Sequence, residues 1–257
     1  MTTEGTKNPL EGQHVLVTGA TGGIGYAIAL RLARQGAIVG IHHNRPFAEV
    51  ESEVEQIKSI SPRSVSLQAD LTSWTESQSL VHRFVESTGS IQALINNAGA
   101  IWAYGEFDAL TEEDWDNTHA VNVRAPFETM TAAWGYFVKQ GGGRIVNISS
   151  ASVGYNGSLR SVHYISAKAA LESVSKVFAK DGAKHNILVN IVRLGLMNTP
   201  MHFRTPGYTQ EHLDARAKIV PLGRMGEPNE VADCIGYLLG QSGSFITGQT
   251  IGITGGD

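Results

Sequence analysis

The chain has a single cysteine, Cys234 in "EVADCIGYLL", so no disulfide framework can form within it, and the apolar helical setting makes a buried thiol the expectation. Charge is scarce: 17% of the 257 residues are charged and the formal net charge is −4. A basic surplus of the kind that binds nucleic acid or an anionic membrane is therefore missing. The start, "MTTEGTKNPLEGQ", lacks the apolar run of a signal peptide, and no later stretch reaches the roughly 20 apolar residues of a membrane span. A cytoplasmic protein with neither nucleic-acid nor membrane partners is expected. No Cys/His cluster suggests a metal, no arginine cluster marks an obligate carboxylate or phosphate substrate, and no repeat or low-complexity segment interrupts the chain.

What is present is alternation. Short apolar runs, "HVLVTG" (His14 to Gly19), "AIVGIHH", "SVSLQAD", "IQALINNAG", "GRIVNISS", "NILVNIVRLG" and "GQTIGITGG", read as strands. Between them lie helical patterns such as "GYAIALRLARQG", "FAEVESEVEQIKSI", "TESQSLVHRFVEST", "YISAKAALESVSKVFAKDGAK" and "EPNEVADCIGYLLG". The segment "TEEDWDNTHAVNVRAPFETMTAAWGYFVKQ" carries helical signals over an unusually long stretch. Strands alternating with helices predict an α/β fold with a parallel sheet covered on both faces. One domain is expected over residues 12–257, after a flexible N-terminal segment 1–11. The Pro-, Gly- and Met-rich segment around residues 196–222 is the least regular, and a lid is expected there.

The turn "TGATGGIG" (Thr18 to Gly25) follows the first strand. Glycines without a β-carbon let the chain turn sharply and let a pyrophosphate approach the backbone at a helix N-terminus, so Gly19, Gly23 and Gly25 point to a dinucleotide. The end of the second strand should meet the adenine ribose. It reads "HHNRP", with no acid and with Arg45 in reach, which favours NADP over NAD while leaving NAD open. Asp70 has two readings, an acceptor for the adenine amino group or an acid at a helix start. "NNAG" (Asn96 to Gly99) suits a backbone packed against a ribose. Tyr164 and Lys168, four apart on a helix, share one face; an ammonium beside a tyrosine favours its anion, so the pair reads as proton-handling.

These motifs, with Asn122 in "AVNVRAPF", "NISS" at 147–150, and "VPLGRMGEPNEVA" and "FITGQTIGITGG" near the end, together resemble the short-chain dehydrogenase/reductase family over roughly residues 12–257. The similarity is greatest to 3-oxoacyl-carrier-protein reductases and to bacterial sugar and polyol dehydrogenases. The resemblance implies a Rossmann-like doubly wound seven-stranded sheet, commonly a homotetramer, and hydride transfer between NAD(P) and a carbonyl or secondary alcohol. It makes Tyr164 the acid/base. Lys168 would bind the nicotinamide ribose and lower the tyrosine pKa, and Asn122 would hold a relay water through its backbone. Thr199 would contact the nicotinamide, with Gly195 and Met197 beside it, and Thr21, Ile24, Asn44, Leu71, Asn97, Ala98 and Gly99 complete the expected cofactor contacts.

The pattern slips at the serine. The family places its substrate-binding serine thirteen residues before the tyrosine, which here falls on Ala151. Ser150 is the favoured candidate, since the strand fixes where its end points, and a one-residue insertion between Ser150 and Gly154 would explain the spacing; Ser152 stays open. Ser149 is expected to face the other way and bond the backbone. Trp102, Tyr104, Tyr155, Leu159, Met197, His202 and Phe203 are expected to line the substrate pocket, and His163 to be structural. A protein of this pattern that binds cofactor without turnover is the reading from another class; the intact Tyr164, Lys168 and Asn122 oppose it.

Overall fold

The computed structural model describes residues 8–257, apart from the side chains of 202 and 203. Strands β1 (His14–Val17), β2 (Ile38–His43), β3 (Val65–Gln68), β4 (Ala93–Asn96), β5 (Gly143–Ser150), β6 (Ile187–Leu194) and β7 (Thr250–Ile253) form one sheet in the order β3-β2-β1-β4-β5-β6-β7. All six pairings are parallel. The doubly wound, seven-stranded Rossmann-like architecture implied by the motifs is the one observed. Chain order reverses between β1 and β4, which opens a crevice at their carboxyl ends.

Alternation along the central strands sends side chains to both faces. Val15, Val17, Val39 and Ile41 pack with Ile28 and Leu32 of α1 (Gly23–Arg34) and with Val231 and Ile235 of α9 (Pro228–Leu239). On the opposite face Leu16, Leu94 and Ile145 meet Leu80 and Phe84 of α3 (Trp74–Thr88) and Met130 and Phe137 of α5 (Ala125–Gln140). Helix α2 (Glu51–Ile60) completes the first face through Val54 and Ile57. The one free thiol, Cys234, packs half-buried against that core.

The long helical stretch is three elements. Helix α4 (Glu112–His119) starts on a Thr111–Asp114 capping box, passes into a wide π-helical turn over Ala120–Arg124, and continues as α5, whose first turn accommodates Pro126. Asn122 sits in the widened turn. Helix α6 (Val162–Gly182) presents Tyr164 and Lys168. The expected lid contains two short helices that composition did not reveal, α7 (Met201–Arg204) and α8 (Gln210–Ala217). It carries a small core of its own, Leu196, Leu213 and Val220, and Met197 pairs with Gly226 at its base.

The expected flexible segment 1–11 is corrected where it enters the described residues: Leu10 is fully buried and its N–H bonds Gln35 O at 3.0 Å. Residues 1–7 lie outside the described residues. Among the described residues no helix is long and apolar enough to cross a membrane.

Candidate active site

A cavity of about 920 Å³ opens at the carboxyl ends of the central strands, and the glycine turn forms one wall. Gly19 and Gly23 hold φ of +65° and +48°, which suit glycine, and a β-carbon on Gly25 would collide with Gly19 O and the Asn97 side chain. The "NNAG" segment braces this turn. Thr18 Oγ1 accepts from the N–H groups of Asn97 and Ala98 at 3.0 Å each, and Asn97 Nδ2 donates to Thr18 O at 2.9 Å. A further brace was not read from sequence. Gly19 N–H donates to His42 Nδ1 at 2.9 Å, while His42 Nε2 donates to Ala69 O at 3.1 Å. Burial pushes His42 down to about 4, which keeps it neutral with its proton on Nε2.

Arg45 lies at the cavity edge and donates to Thr21 O at 3.2 Å, with Glu53 3.7 Å away. His43 orders the same corner, bonding Arg45 O at 2.7 Å and Ser66 Oγ at 2.8 Å. Asn44, Ile24 and Leu71 line the wall. Asp70 also faces the cavity, but its Oδ1 accepts from both N–H and Oγ1 of Thr72, at 2.9 and 2.8 Å. The side chain that caps α3 is Ser73, not Asp70.

At the other end Ser150, Ser152, Tyr164 and Lys168 line the same cavity. Ser150 Oγ and Ser152 Oγ are 2.7 Å apart, so the two candidate serines form one hydrogen-bonded unit. Burial raises Tyr164 to about 12, and the hydrogen bond from Ser150 works in the opposite direction. The lowering expected from Lys168 is not found. Burial pulls Lys168 itself down to about 7, its Nζ donates to Ile148 O at 2.9 Å, and it stands 5.7 Å from the Tyr164 ring centroid. A cation that weakly held and that far away does not offset the tyrosine's burial.

Asn122 Nδ2 donates to Ala100 O and Thr118 O at 2.7 and 2.8 Å, which leaves Oδ1 buried with no partner among the described residues. Its side chain thus carries an unpaired acceptor in addition to the backbone that the resemblance points to. A β-carbon on Gly99 would lie 2.8 Å from that oxygen and 3.3 Å from Lys168 Nζ, so the three residues converge.

Several expectations are corrected. Ser149 Oγ donates to Glu172 Oε1 at 2.7 Å, not to the backbone, because Glu172 is buried and shared with Arg193. Leu159 is 64% exposed and lines a separate small pocket, not the main cavity. Gly195 lines the cavity as expected, and it also packs closely on the Thr254 backbone, 2.8 Å from where a β-carbon would stand. Trp102, Tyr104, Tyr155, Met197 and Thr199 do line it, and His163 is buried. The His202 and Phe203 side chains lie outside the described residues.

Two groups in the cavity wall were missed. Arg216 of α8 pairs with Asp257 and donates to Tyr155 Oη at 3.1 Å, its carbon Cζ 5.2 Å from that ring. Arg204 of α7 reaches over the glycine turn. Both come from the lid, and neither stands in a motif of fixed spacing.

Residues 19–256 match the family model described as enoyl-(acyl carrier protein) reductase. The chain is 36% identical over 247 residues to a 3-oxoacyl-[acyl-carrier-protein] reductase of Thermotoga maritima, covering 96% of this chain and 98% of that one. It is 35% identical over 251 residues to 2-dehydro-3-deoxy-D-gluconate 5-dehydrogenase of Escherichia coli, covering 96% of each. A short-chain dehydrogenase of Burkholderia cenocepacia, solved with NADP, superposes with a TM-score of 0.88 at 33% identity, covering 97% and 99% of the two chains. The chain belongs to the short-chain dehydrogenase/reductase family. It is an NAD(P)-dependent oxidoreductase of that family.

Proposed function

We propose that the protein interconverts a carbonyl and a secondary alcohol with NADP(H), Tyr164 acting as the acid/base. The observation that carries this is one cavity joining the braced glycine turn to Ser150, Tyr164 and Lys168. The cavity suits a dinucleotide: its turn has no room for a β-carbon at Gly25, and Arg45 stands where an acid would repel a 2'-phosphate. The relative from Burkholderia cenocepacia, solved with NADP, supports the same cofactor.

The nicotinamide supplies the hydride when bound. The chain's own groups handle the oxygen. Ser150 donates to the carbonyl oxygen, and Tyr164 gives it a proton as charge develops there. A tyrosine raised to about 12 keeps that proton at neutral pH, which is the form carbonyl reduction needs. Lys168 and the unpaired Asn122 Oδ1 stand beyond it as the route by which the proton is replaced. Gly19, Thr21, Gly23, Ile24, Asn97, Ala98 and Gly99 hold the phosphates and riboses.

A second reading, a sugar or polyol dehydrogenase, has its own support. Arg216, Asp257 and Tyr155 place donors and an acceptor together in an otherwise aromatic wall of Trp102, Tyr104 and Tyr208. Such a pair suits hydroxyl groups, which donate and accept at once. A homotetramer in the cytoplasm fits the resemblance, and the exposed Phe127 and Val177 on α5 and α6 offer apolar contact surface.

The test is an assay of reduced-cofactor absorbance with aldoses, polyols and short β-keto esters, using both cofactors. The expected result is turnover that prefers NADPH. Arg45→Ala should shrink the ratio of kcat/KM for NADPH over NADH, and an unchanged ratio would remove Arg45 as the discriminator.

A further inference from the structure

Two arginines flank the glycine turn, and they differ in how they are engaged. Arg45 approaches from β2 and is held by Thr21 O, Glu49 O and the Glu53 carboxylate. Arg204 reaches the turn from α7 of the lid. Its guanidinium is the nearest group to Gly22, with Nη1 3.8 Å from where a β-carbon on that glycine would stand. Arg204 is exposed, and its side chain has no hydrogen bond or ion pair among the described residues.

Gly22 is the N-cap of α1. No side chain caps that end, and the first turn carries no acid that could take up the arginine. The free N–H groups and the positive end of the helix therefore face the same space as the guanidinium. Among the described residues, Arg204 Nη1 at 3.8 Å is the one atom beyond the local backbone within 4 Å of that β-carbon position.

We propose that Arg204 is a cofactor-binding residue that closes on the pyrophosphate from the lid side, while Arg45 serves the ribose side. The proposal rests on the NADP(H) reading above. The ligand is a dianionic diphosphate ester, common to NADP(H) and NAD(H). Arg204 belongs to the same segment as Met201, Thr205 and Tyr208, which line the cavity. Holding the phosphate at Arg204 consequently couples cofactor binding to closure of the lid over the substrate half.

The experiment compares dissociation constants of NADPH and NADH for wild type, R204Q, R204K and R45Q at low and high salt. R204Q should weaken both cofactors by about the same factor, on the order of tenfold, as expected for losing one charge-assisted hydrogen bond at an exposed site. The loss should shrink at high salt, R204K should recover part of it, and R45Q should weaken NADPH alone. Addition of NADPH should protect the amides of residues 201–217 from hydrogen exchange in wild type and fail to do so in R204Q. An R204Q effect confined to NADPH would assign Arg204 to the 2'-phosphate and overturn the proposal. Unchanged affinity for both cofactors would overturn it too, with the NADP(H) reading left standing. A wild type that binds neither cofactor would bring down that reading as well.

Discussion

Ser150 Oγ lies 2.7 Å from Ser152 Oγ and also accepts from Ser152 N–H at 3.3 Å. The serine question is therefore one of order within a pair. Ser150 is the member whose hydroxyl works against the burial that raises Tyr164, and Ser152 bonds it from the other side. Replacing Ser150 by Ala should lower kcat/KM by roughly 10²–10³-fold, the range for losing one donor to a developing oxyanion. Ser152→Ala should cost less than about tenfold, since it removes only an orienting bond. NADPH affinity should hold in both. Steady-state kinetics with a binding titration checks this, and the reverse order of effects would move the role to Ser152.

Gly25→Ala introduces a β-carbon into Gly19 O and the Asn97 side chain, the brace of the phosphate turn. Overpacking of this kind costs about 1–3 kcal/mol, so NADPH affinity should drop by about tenfold or more. The far-UV circular dichroism should be unchanged. Titration of cofactor fluorescence measures the affinity.

His42 gives a pH dependence of stability. Unfolded histidine titrates near 6.5 and the buried residue near 4, so between those values the unfolded chain binds more protons. Stability from this residue is complete above pH 6.5 and falls as pH drops toward 4, by at most about 3 kcal/mol. His42→Gln should flatten that part of the acid limb in urea unfolding between pH 7 and 4.5, with no comparable change above pH 7.

Glu172 is buried and receives two bonds from Arg193 at 2.7 Å each and one from Ser149 at 2.7 Å. Arg193→Met strands that carboxylate, and unfolding free energy should fall by about 3 kcal/mol. The double variant Arg193→Met/Glu172→Leu should recover much of the loss, because the charge left uncompensated is then absent. Urea melts of the three proteins measure the difference.

Features set by near neighbours were legible in the sequence. The glycine turn, "NNAG" and the Tyr164/Lys168 pair each follow from spacing within one element or turn, and the alternation of runs revealed the parallel sheet. Features that depend on distant contacts were not. His42 meets Gly19 only because β2 lies beside β1. Arg216 meets Asp257 and Tyr155 only when the lid folds over. Ser149 looked like a backbone-bonding serine because its partner, Glu172, lies on α6. The spacing of Tyr164 and Lys168 likewise says nothing of burial, which raises the tyrosine and lowers the lysine.

The central claim is that Tyr164 protonates the substrate oxygen while the glycine turn holds the cofactor independently. Y164F tests it most directly, with NADPH oxidation followed on any substrate that wild type turns over and NADPH binding titrated beside it. The account predicts a loss in kcat on the order of 10²–10⁴-fold, the contribution of a positioned acid, with the dissociation constant of NADPH changed by less than about twofold. Turnover by Y164F at the wild-type rate would contradict it.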